Sequence, residues 1–245
     1  MLAMLWHDHF RNEYPNLKEA DPIEPQVEHF GAGPPPRGQM MFRFGRPPAA
    51  RLQMVSEDGH WMVQVQNGRL VFNWRKLSTH DYPRWSKTLP RFHETYDKLK
   101  EFTAERKLGT IEPDQWEVTY ANHFVRGEDW QTPHDWPVLV PGVLGHPTPA
   151  EGLRLESAAG TVHMEIEPRR GRLHVELEHA MHRSGDANES QEILVLQLTA
   201  RGPVGAGDDE SLLEGLRLGR LAIVDSFARF TGEAAHGRWG KRNVE

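Results

Sequence analysis

The sequence contains no cysteine among its 245 residues. Disulfide bonds, thiolate zinc sites and cysteine nucleophiles are therefore excluded. Proteins of the reducing cytoplasm do not depend on disulfides, and we expect this protein to be cytoplasmic.

Long apolar runs are also lacking. No stretch approaches the roughly 20 apolar residues that a membrane-spanning helix needs, so we predict no membrane partner. Residues 1–10 are too short and too charged for a signal peptide. The apolar share is low, at 38%, but 8 tryptophans bury much area per residue, so the sequence still predicts a folded core.

Motifs for catalysis are missing too. The chain has no Gly-x-Ser-x-Gly nucleophile turn and no Walker phosphate loop. Gly31 and Gly33 precede prolines rather than a helix, which makes a poor dinucleotide site. Glu165 and Glu167 alternate with apolar residues, as on the water-facing side of a sheet. We predict no catalytic residue and no cofactor; whether the protein is an enzyme stays open, with a non-catalytic role favoured.

Histidine is frequent, with 14 residues, so metal binding needs a test. His174 and His179 would point to opposite faces of a strand, because side chains alternate with a period of two. His7 and His9 would diverge on a helix. We therefore predict no metal site. Four polar residues in and near the long loop could converge on one functional site: His123, Asp129, His134 and Asp135. The favoured interpretation is that they are ordinary polar residues of a solvent-exposed loop.

The clearest structural pattern is a β-hairpin. Two alternating runs, at Trp61–Gln66 and Arg69–Trp74, flank Asn67-Gly68, whose residues accept the positive φ of a type I′ turn. The run Arg51–Val55 precedes them and completes a meander of three strands. A short helix should come earlier, in residues 2–14, and a short strand at 40–44.

Two long helices are predicted from apolar residues at intervals of three and four. The first follows Pro83, contains Pro90 and ends before Gly109; the second covers residues 212–230. A strand at 116–124 follows the first helix. A second meander, before the second helix, should comprise residues 153–157, 161–167, 172–179 and 193–200.

These elements predict an α+β fold, in which antiparallel meander sheets are each packed by a long helix. The order of elements is compatible with two similar sheet-plus-helix lobes. We divide the chain into an N-terminal helix and Pro/Gly-rich wrapping segment (1–50), a first lobe (51–125), a long loop (126–152) and a second lobe (153–245), together forming one compact unit.

Several motifs occur together in this chain. They are Val55-Ser-Glu-Asp-Gly59, Phe72-Asn-Trp-Arg75, Glu117-Val-Thr-Tyr-Ala-Asn122 and Phe227-Ala-Arg-Phe-Thr231. With them, the chain resembles a sporadically distributed family of bacterial proteins of uncharacterised function, over about residues 6 to 240. In that family a strand usually precedes the first helix, whereas this chain starts almost at its helix, so we expect that strand to be missing here. The resemblance implies no catalytic residue. The sporadic distribution of that family implies a defence-linked gene and a protein partner.

Polar residues on two strands form the candidate ligand site. Asn73 and Arg75 share one strand face, and Tyr120 and Asn122 share another. If the two strands are neighbours, these residues and His123 would line one polar patch that could bind an anion or a carboxamide. A buried structural hydrogen-bond network is the favoured alternative.

The long loop carries Trp130 and Trp136. Tryptophan is enriched at the centres of protein–protein interfaces, so we predict that these two residues bind a protein partner.

Basic residues of the first long helix raise nucleic-acid binding as a further possibility. Acidic residues interleave with them, and the formal charge of the chain is −6, so this is not favoured. The leading hypothesis is a non-catalytic protein-interaction component, as in a bacterial defence or toxin–antitoxin-like system. The alternatives are a small-ligand or nucleotide binder or enzyme with a pocket between sheet and helix, and nucleic-acid binding.

Overall fold

The computed structural model describes residues 1–30, 50–77, 82–145, 150–183 and 190–238. These residues fall into two compact units rather than one. The first comprises the described parts of Met1–Gln26 and Pro34–Ile111, and the second those of Val27–Gly33 and Glu112–Glu245. The strand predicted at 40–44 lies outside the described residues.

The first unit contains one antiparallel sheet and two helical segments. Its elements are α1 (Leu2–Leu5), which continues as a π-helical turn at Trp6–Phe10, β1 (Asn16–Ala20), β2 (Arg51–Val55), β3 (Trp61–Gln66), β4 (Arg69–Trp74) and α2 (Trp85–Glu105). The sheet order is β1-β2-β3-β4. The predicted meander and the position of its Asn67-Gly68 turn are confirmed. Only Gly68 has a positive φ, of 75°, so the turn is not of the predicted type I′, which requires a positive φ at Asn67 as well.

The core of the first unit lies between its sheet and its helical segments. Leu5, Phe10 and Tyr14 pack with Val63 and with Phe102 of α2. The Trp6 indole donates a hydrogen bond to the Tyr14 carbonyl at 2.8 Å, which fixes the chain where Pro15 ends the helix.

The second unit contains a sheet with longer strands. Its elements are β5 (Gln115–Val125), α3 (Trp136–Leu139), α4 (Pro141–Leu144), β6 (Ala159–Ile166), the four-residue turn α5 (Glu167–Arg170), β7 (Gly171–Arg183), β8 (Ser190–Pro203), α6 (Asp209–Phe230) and α7 (Glu233–Arg238). The sheet order is β5-β8-β7-β6, and every pair is antiparallel.

Helix α6 covers one face of this second sheet. The β8 side chains beneath it, at Leu194, Leu196, Leu198 and Ala200, are fully buried, and Ile223 of α6 is buried with them. The Asp208 carboxylate accepts a hydrogen bond from the Ser211 backbone at 2.8 Å and caps the helix. The predicted α+β class with antiparallel sheets is therefore confirmed.

Two of the predicted strands differ in the structure. The strand predicted at 116–124 is β5, and it pairs with β8 instead of joining the first lobe. Strand β8 is distant in sequence from β5, and sequence order alone assigned β5 to the first lobe. Residues 153–157 form no strand.

No helix in the described ranges is long and apolar enough to cross a membrane.

Candidate functional site

The face of the second sheet that points away from α6 is polar. Its side chains alternate with the buried ones along each strand, as the period of two requires. Two rows of directly paired residues cross all four strands: Glu165, Arg172, Arg201 and Glu117, and beside them His163, His174, Thr199 and Thr119.

A buried carboxylate lies on these rows. The Glu28 side chain is 4% exposed, and Arg172 donates a hydrogen bond to its Oε1. The His174 Nε2 lies 2.8 Å from Glu28 Oε2, and the Arg201 Nη1 lies 3.8 Å from the same oxygen. Three side chains from two neighbouring strands therefore surround one carboxylate. We call Arg172, His174 and Arg201 the basic triad.

Glu28 reaches the basic triad from residues 27–30, which belong to no helix or strand. The Glu28 backbone N–H donates to the Gln115 side chain at 2.9 Å. The Phe30 ring lies 5.3 Å from the Arg172 guanidinium carbon, a cation–π distance. The segment thus contacts the polar face through one carboxylate, one backbone bond and one ring.

The triad has a second acidic neighbour. The Arg201 Nε donates to the Glu117 carboxylate at 2.7 Å. Arg201 is 9% exposed, which is rare for arginine unless it is paired. Two guanidinium groups and two carboxylates therefore balance one another on this face.

His163 lies beside the triad on the outermost strand. Its ring packs edge-on against His174, with ring centroids 4.7 Å apart. Burial lowers the pKa of His163, and the positive charge of His174 and Arg172 lowers this pKa further. A neutral His163 is therefore favoured, and it adds no positive charge to that of the two arginines.

The second sheet has two edge strands, β5 on one side and, on the other side, β6. It pairs with β7 without a break from Ala159 to Ile166, and only Ile166 is buried. Within the described part of the chain, no backbone hydrogen bond reaches its outer side. Alternate N–H and C=O groups of an edge strand point outward, where a further strand can pair with them.

The predicted ligand residues do not converge through strand pairing. Asn73 lies in β4 of the first sheet and Tyr120 in β5 of the second, so the condition that these strands are neighbours within a sheet is not met. The Asn73 side chain accepts a hydrogen bond from Gln64 at 2.6 Å, and the Arg75 Nε donates to the Gly59 carbonyl at 2.9 Å.

The β5 members of that set diverge as well. Asn122 points to the α6 side of the sheet, together with Tyr120, and donates to the Leu196 carbonyl at 3.1 Å. His123 points to the opposite face, where its ring lies 5.4 Å from that of His182. Alternation along the strand had predicted the shared face of Tyr120 and Asn122, and the same alternation separates His123 from them.

The two loop tryptophans lie in the interior. Trp130 is 2% exposed and Trp136 is 0% exposed, and their rings pack edge-on, with centroids 5.1 Å apart. The Trp130 Nε1 donates to the Phe124 carbonyl at 3.0 Å. Neither ring offers the exposed surface that the predicted partner contact needs. Tryptophan frequency alone does not distinguish an interface from a local core.

The polar loop residues stabilise turns. The Asp129 carboxylate accepts from the Val125 backbone at 2.7 Å, and that of Asp135 from Gln131 and Thr132 at 2.8 and 3.0 Å. The Thr132 and Gln131 N–H groups lower the pKa of Asp135. Over the described ranges, no group of three or more potential ligands could hold a metal ion.

Concave sites are small or open. One cavity of about 200 Å³ lies between Trp116, Arg170, Ser211 and Gly215, below the usual size of a ligand pocket. Another depression, beside Trp61 and Arg91 in the first unit, is open to solvent.

Comparison with known protein families, with curated proteins and with solved structures finds no match. The site must therefore be interpreted from its own chemistry.

Sequence reasoning missed the basic triad and Glu28. The alternation of Arg172 and His174 with apolar residues is visible in the sequence, but alternation by itself indicates only the water-facing side of a sheet. Glu28, 144 residues before Arg172, had no local pattern that could link it to that strand.

Proposed function

We propose that the protein is a non-catalytic interaction component that binds another protein by accepting a strand at the free edge of β6. The observation that carries this proposal is the outer edge of the eight-residue strand β6, which receives no backbone hydrogen bond from the described residues. Main-chain hydrogen bonds along such an edge provide affinity, and side-chain pockets provide specificity.

The composition of β6 supports this use. Natural edge strands are usually protected by proline, lysine, a bulge or a short length. Strand β6 contains neither proline nor lysine, and its register with β7 has no bulge. An edge left in this form is either a binding site or an aggregation hazard.

The partner would supply an extended segment with alternating chemistry. Val162 and Met164 point to the α6 side of the sheet, and Thr161, His163 and Glu165 point to the polar side. The matching strand would place apolar residues beside Val162 and Met164 and polar residues beside the other three. A bacterial defence or toxin–antitoxin-like system is the setting that the family resemblance supports for this partner.

The alternative hypotheses have weaker support. A small-ligand enzyme needs a larger enclosed cavity than those found in the described residues. Three basic residues in and directly after α2 are paired: Lys98 with Glu13 and Glu94, Lys100 with Asp97, and Arg106 with Asp8. Such pairing reduces the charge available for phosphates.

Two proline variants test the proposal. Of two successive strand residues, one directs its N–H toward β7 and the other outward. Of Thr161→Pro and Val162→Pro, one variant therefore loses the N–H that bonds to β7, and the other loses the N–H that points outward. The variant that loses the outward N–H should keep the melting temperature near that of the unchanged chain and still lose the partner.

The binding measurement begins with capture of the tagged protein from its native host and identification of what co-elutes in stoichiometric amount. The purified partner is then titrated against both variants, with about a tenfold or greater loss of affinity expected. A partner that binds the folded outward variant as tightly as the unchanged chain would refute strand addition. If the captured partner is a second copy, light scattering should show a dimer that the same variant abolishes.

A further inference from the structure

The residues of the basic triad belong to strands of the second sheet, whereas Glu28, which binds between them, does not. Arg172 and Arg201 are directly paired residues of β7 and β8, and His174 lies two positions along β7. The strand register fixes their spacing whatever residues 27–30 do. Glu28 comes from outside the strands, and its neighbours Val27 and His29 are exposed.

We propose that the basic triad is a binding site for an anionic group, a carboxylate or phosphate, and that Glu28 occupies it as a built-in ligand. When Glu28 withdraws, an external oxyanion takes the same position between Arg172, His174 and Arg201. The segment 27–30 then acts as a competitor for that ligand. This inference is independent of strand addition at β6.

The contacts of the Glu28 carboxylate are those of an oxyanion bound in a specific site. Each carboxylate oxygen has its own donor, since Arg172 donates to Oε1 and His174 Nε2 lies 2.8 Å from Oε2. Arginine is the residue that best matches the planar geometry of carboxylate and phosphate. Arg201 adds charge at 3.8 Å and is held in place by its bond to Glu117.

A simple anchor would not require this chemistry. Replacing a buried ion pair by apolar residues of similar volume is often neutral or stabilising. Phe30 already gives the segment a ring contact with Arg172. A cluster of charges, by contrast, makes the contact exchangeable for another anion and dependent on its concentration.

The test uses the full chain with Glu28→Ala, titrated calorimetrically with inorganic phosphate at pH 7 in a low-chloride buffer. We expect saturable binding of one phosphate, about tenfold or more tighter than in the unchanged chain. Adding Arg172→Met to Glu28→Ala should abolish it. Acetate titrated in the same way distinguishes a carboxylate site from a phosphate site.

Glu176→Ala is the matched control. It removes one negative charge from an exposed position of β7 on the same face, without touching the triad. Equal phosphate affinity in Glu176→Ala and Glu28→Ala would show a net-charge effect and overturn the proposal. Absence of phosphate binding to Glu28→Ala with an unchanged circular dichroism spectrum would also overturn it.

A second variant covers the case in which Glu28→Ala fails to fold. Glu28→Gln keeps the shape of the side chain and removes its charge. It should still bind phosphate more tightly than the unchanged chain, and phosphate should raise its melting temperature. If phosphate changes neither the heat signal nor the melting temperature of Glu28→Gln, the triad is not an exchangeable anion site.

Discussion

The Trp116 indole lies against Gly219 of α6, so close that a methyl group at Gly219 would come within 2.6 Å of the ring. Gly215, one turn earlier in the helix, is closer still, and Gly202 and Gly171 meet the same ring from β8 and β7. Trp116 itself is 2% exposed. Four glycines therefore form the cavity for one side chain and set the approach of α6 to the sheet.

This contact predicts the cost of Gly219→Ala. Alanine favours helix by about 1 kcal/mol, but its methyl group must displace a buried indole, and overpacking costs about 1–3 kcal/mol. We expect a net loss of unfolding free energy of up to about 2 kcal/mol, measured by urea denaturation. Gly205→Ala is the control, since nothing lies within 4 Å of its added methyl group. Equal stability of both variants would contradict the packing described for Trp116.

Two conservative substitutions distinguish the loop tryptophans. Trp130 donates a buried hydrogen bond to Phe124, whereas the Trp136 Nε1 is buried without a hydrogen-bond partner among the described residues. Trp130→Phe should therefore destabilise the protein more than Trp136→Phe, by about 1 kcal/mol, because only the former leaves a buried carbonyl without its donor. Thermal and urea unfolding of both variants measure the difference. If Trp136→Phe lowered the unfolding free energy more than Trp130→Phe, the hydrogen bond to Phe124 would not be the main contribution of Trp130 to stability.

The amide ladder of the first sheet gives a prediction for Asn73. Gln53 donates to Gln64 at 3.1 Å, and Gln64, which is 6% exposed, donates to Asn73. Asn73→Val leaves the buried Gln64 amide without that acceptor and should cost about 1–2 kcal/mol. Changing Gln64 to Val in the same chain should recover part of this loss in a double-mutant cycle. If Asn73→Val costs nothing, the side chain is not structural and becomes available for the ligand role predicted from sequence.

A pH dependence is expected from Glu192 of β8. Its carboxylate accepts a hydrogen bond from Arg126 and lies 2.8 Å from the His179 ring. The Arg126 bond is the largest of the effects that lower the pKa of Glu192. The folded state therefore favours the ionised carboxylate. Its stabilising contribution is present above the ordinary pKa of glutamate and is lost as pH falls through the lower folded value.

Glu192→Gln should therefore reduce the unfolding free energy at pH 7 by about 0.5 kcal/mol, because the Arg126 partner is largely exposed. The difference from the unchanged chain should shrink as pH falls below about 4.5 and disappear in acid. Urea denaturation at pH 7, 5 and 3.5 measures it, with Glu176→Gln as an exposed control. A difference that stays constant over this range would rule out the ionised pair as its cause.

Local pattern was sufficient for many elements. Asn67-Gly68 between two alternating runs fixed the position of a hairpin, since Gly68 accepts the positive φ that the turn requires. Apolar residues at helical spacing fixed α2 and α6 to within a few residues. These predictions succeeded because turn geometry and helical periodicity depend on neighbours in the chain.

Pairing between distant strands was decided only in the tertiary structure. Strand β5 follows α2 in sequence and was assigned to the first lobe, but it pairs with β8 in the second unit, where α6 packs against Trp116 on its apolar face. The same assignment placed Asn73 and Asn122 in one patch. Composition could not show that Trp130 and Trp136 pack on each other rather than face a partner.

The sequence by itself determined the α+β class, the hairpin and the long helices, because each follows from local conformational preference and from periodic burial. The tertiary structure alone decided that Glu28 meets Arg172, since a carboxylate 144 residues away carries no local signal of its partner. It also decided that β6 ends the sheet. Which residues form a site depends on strand order and register, and these arise from the burial of whole faces rather than from any short segment.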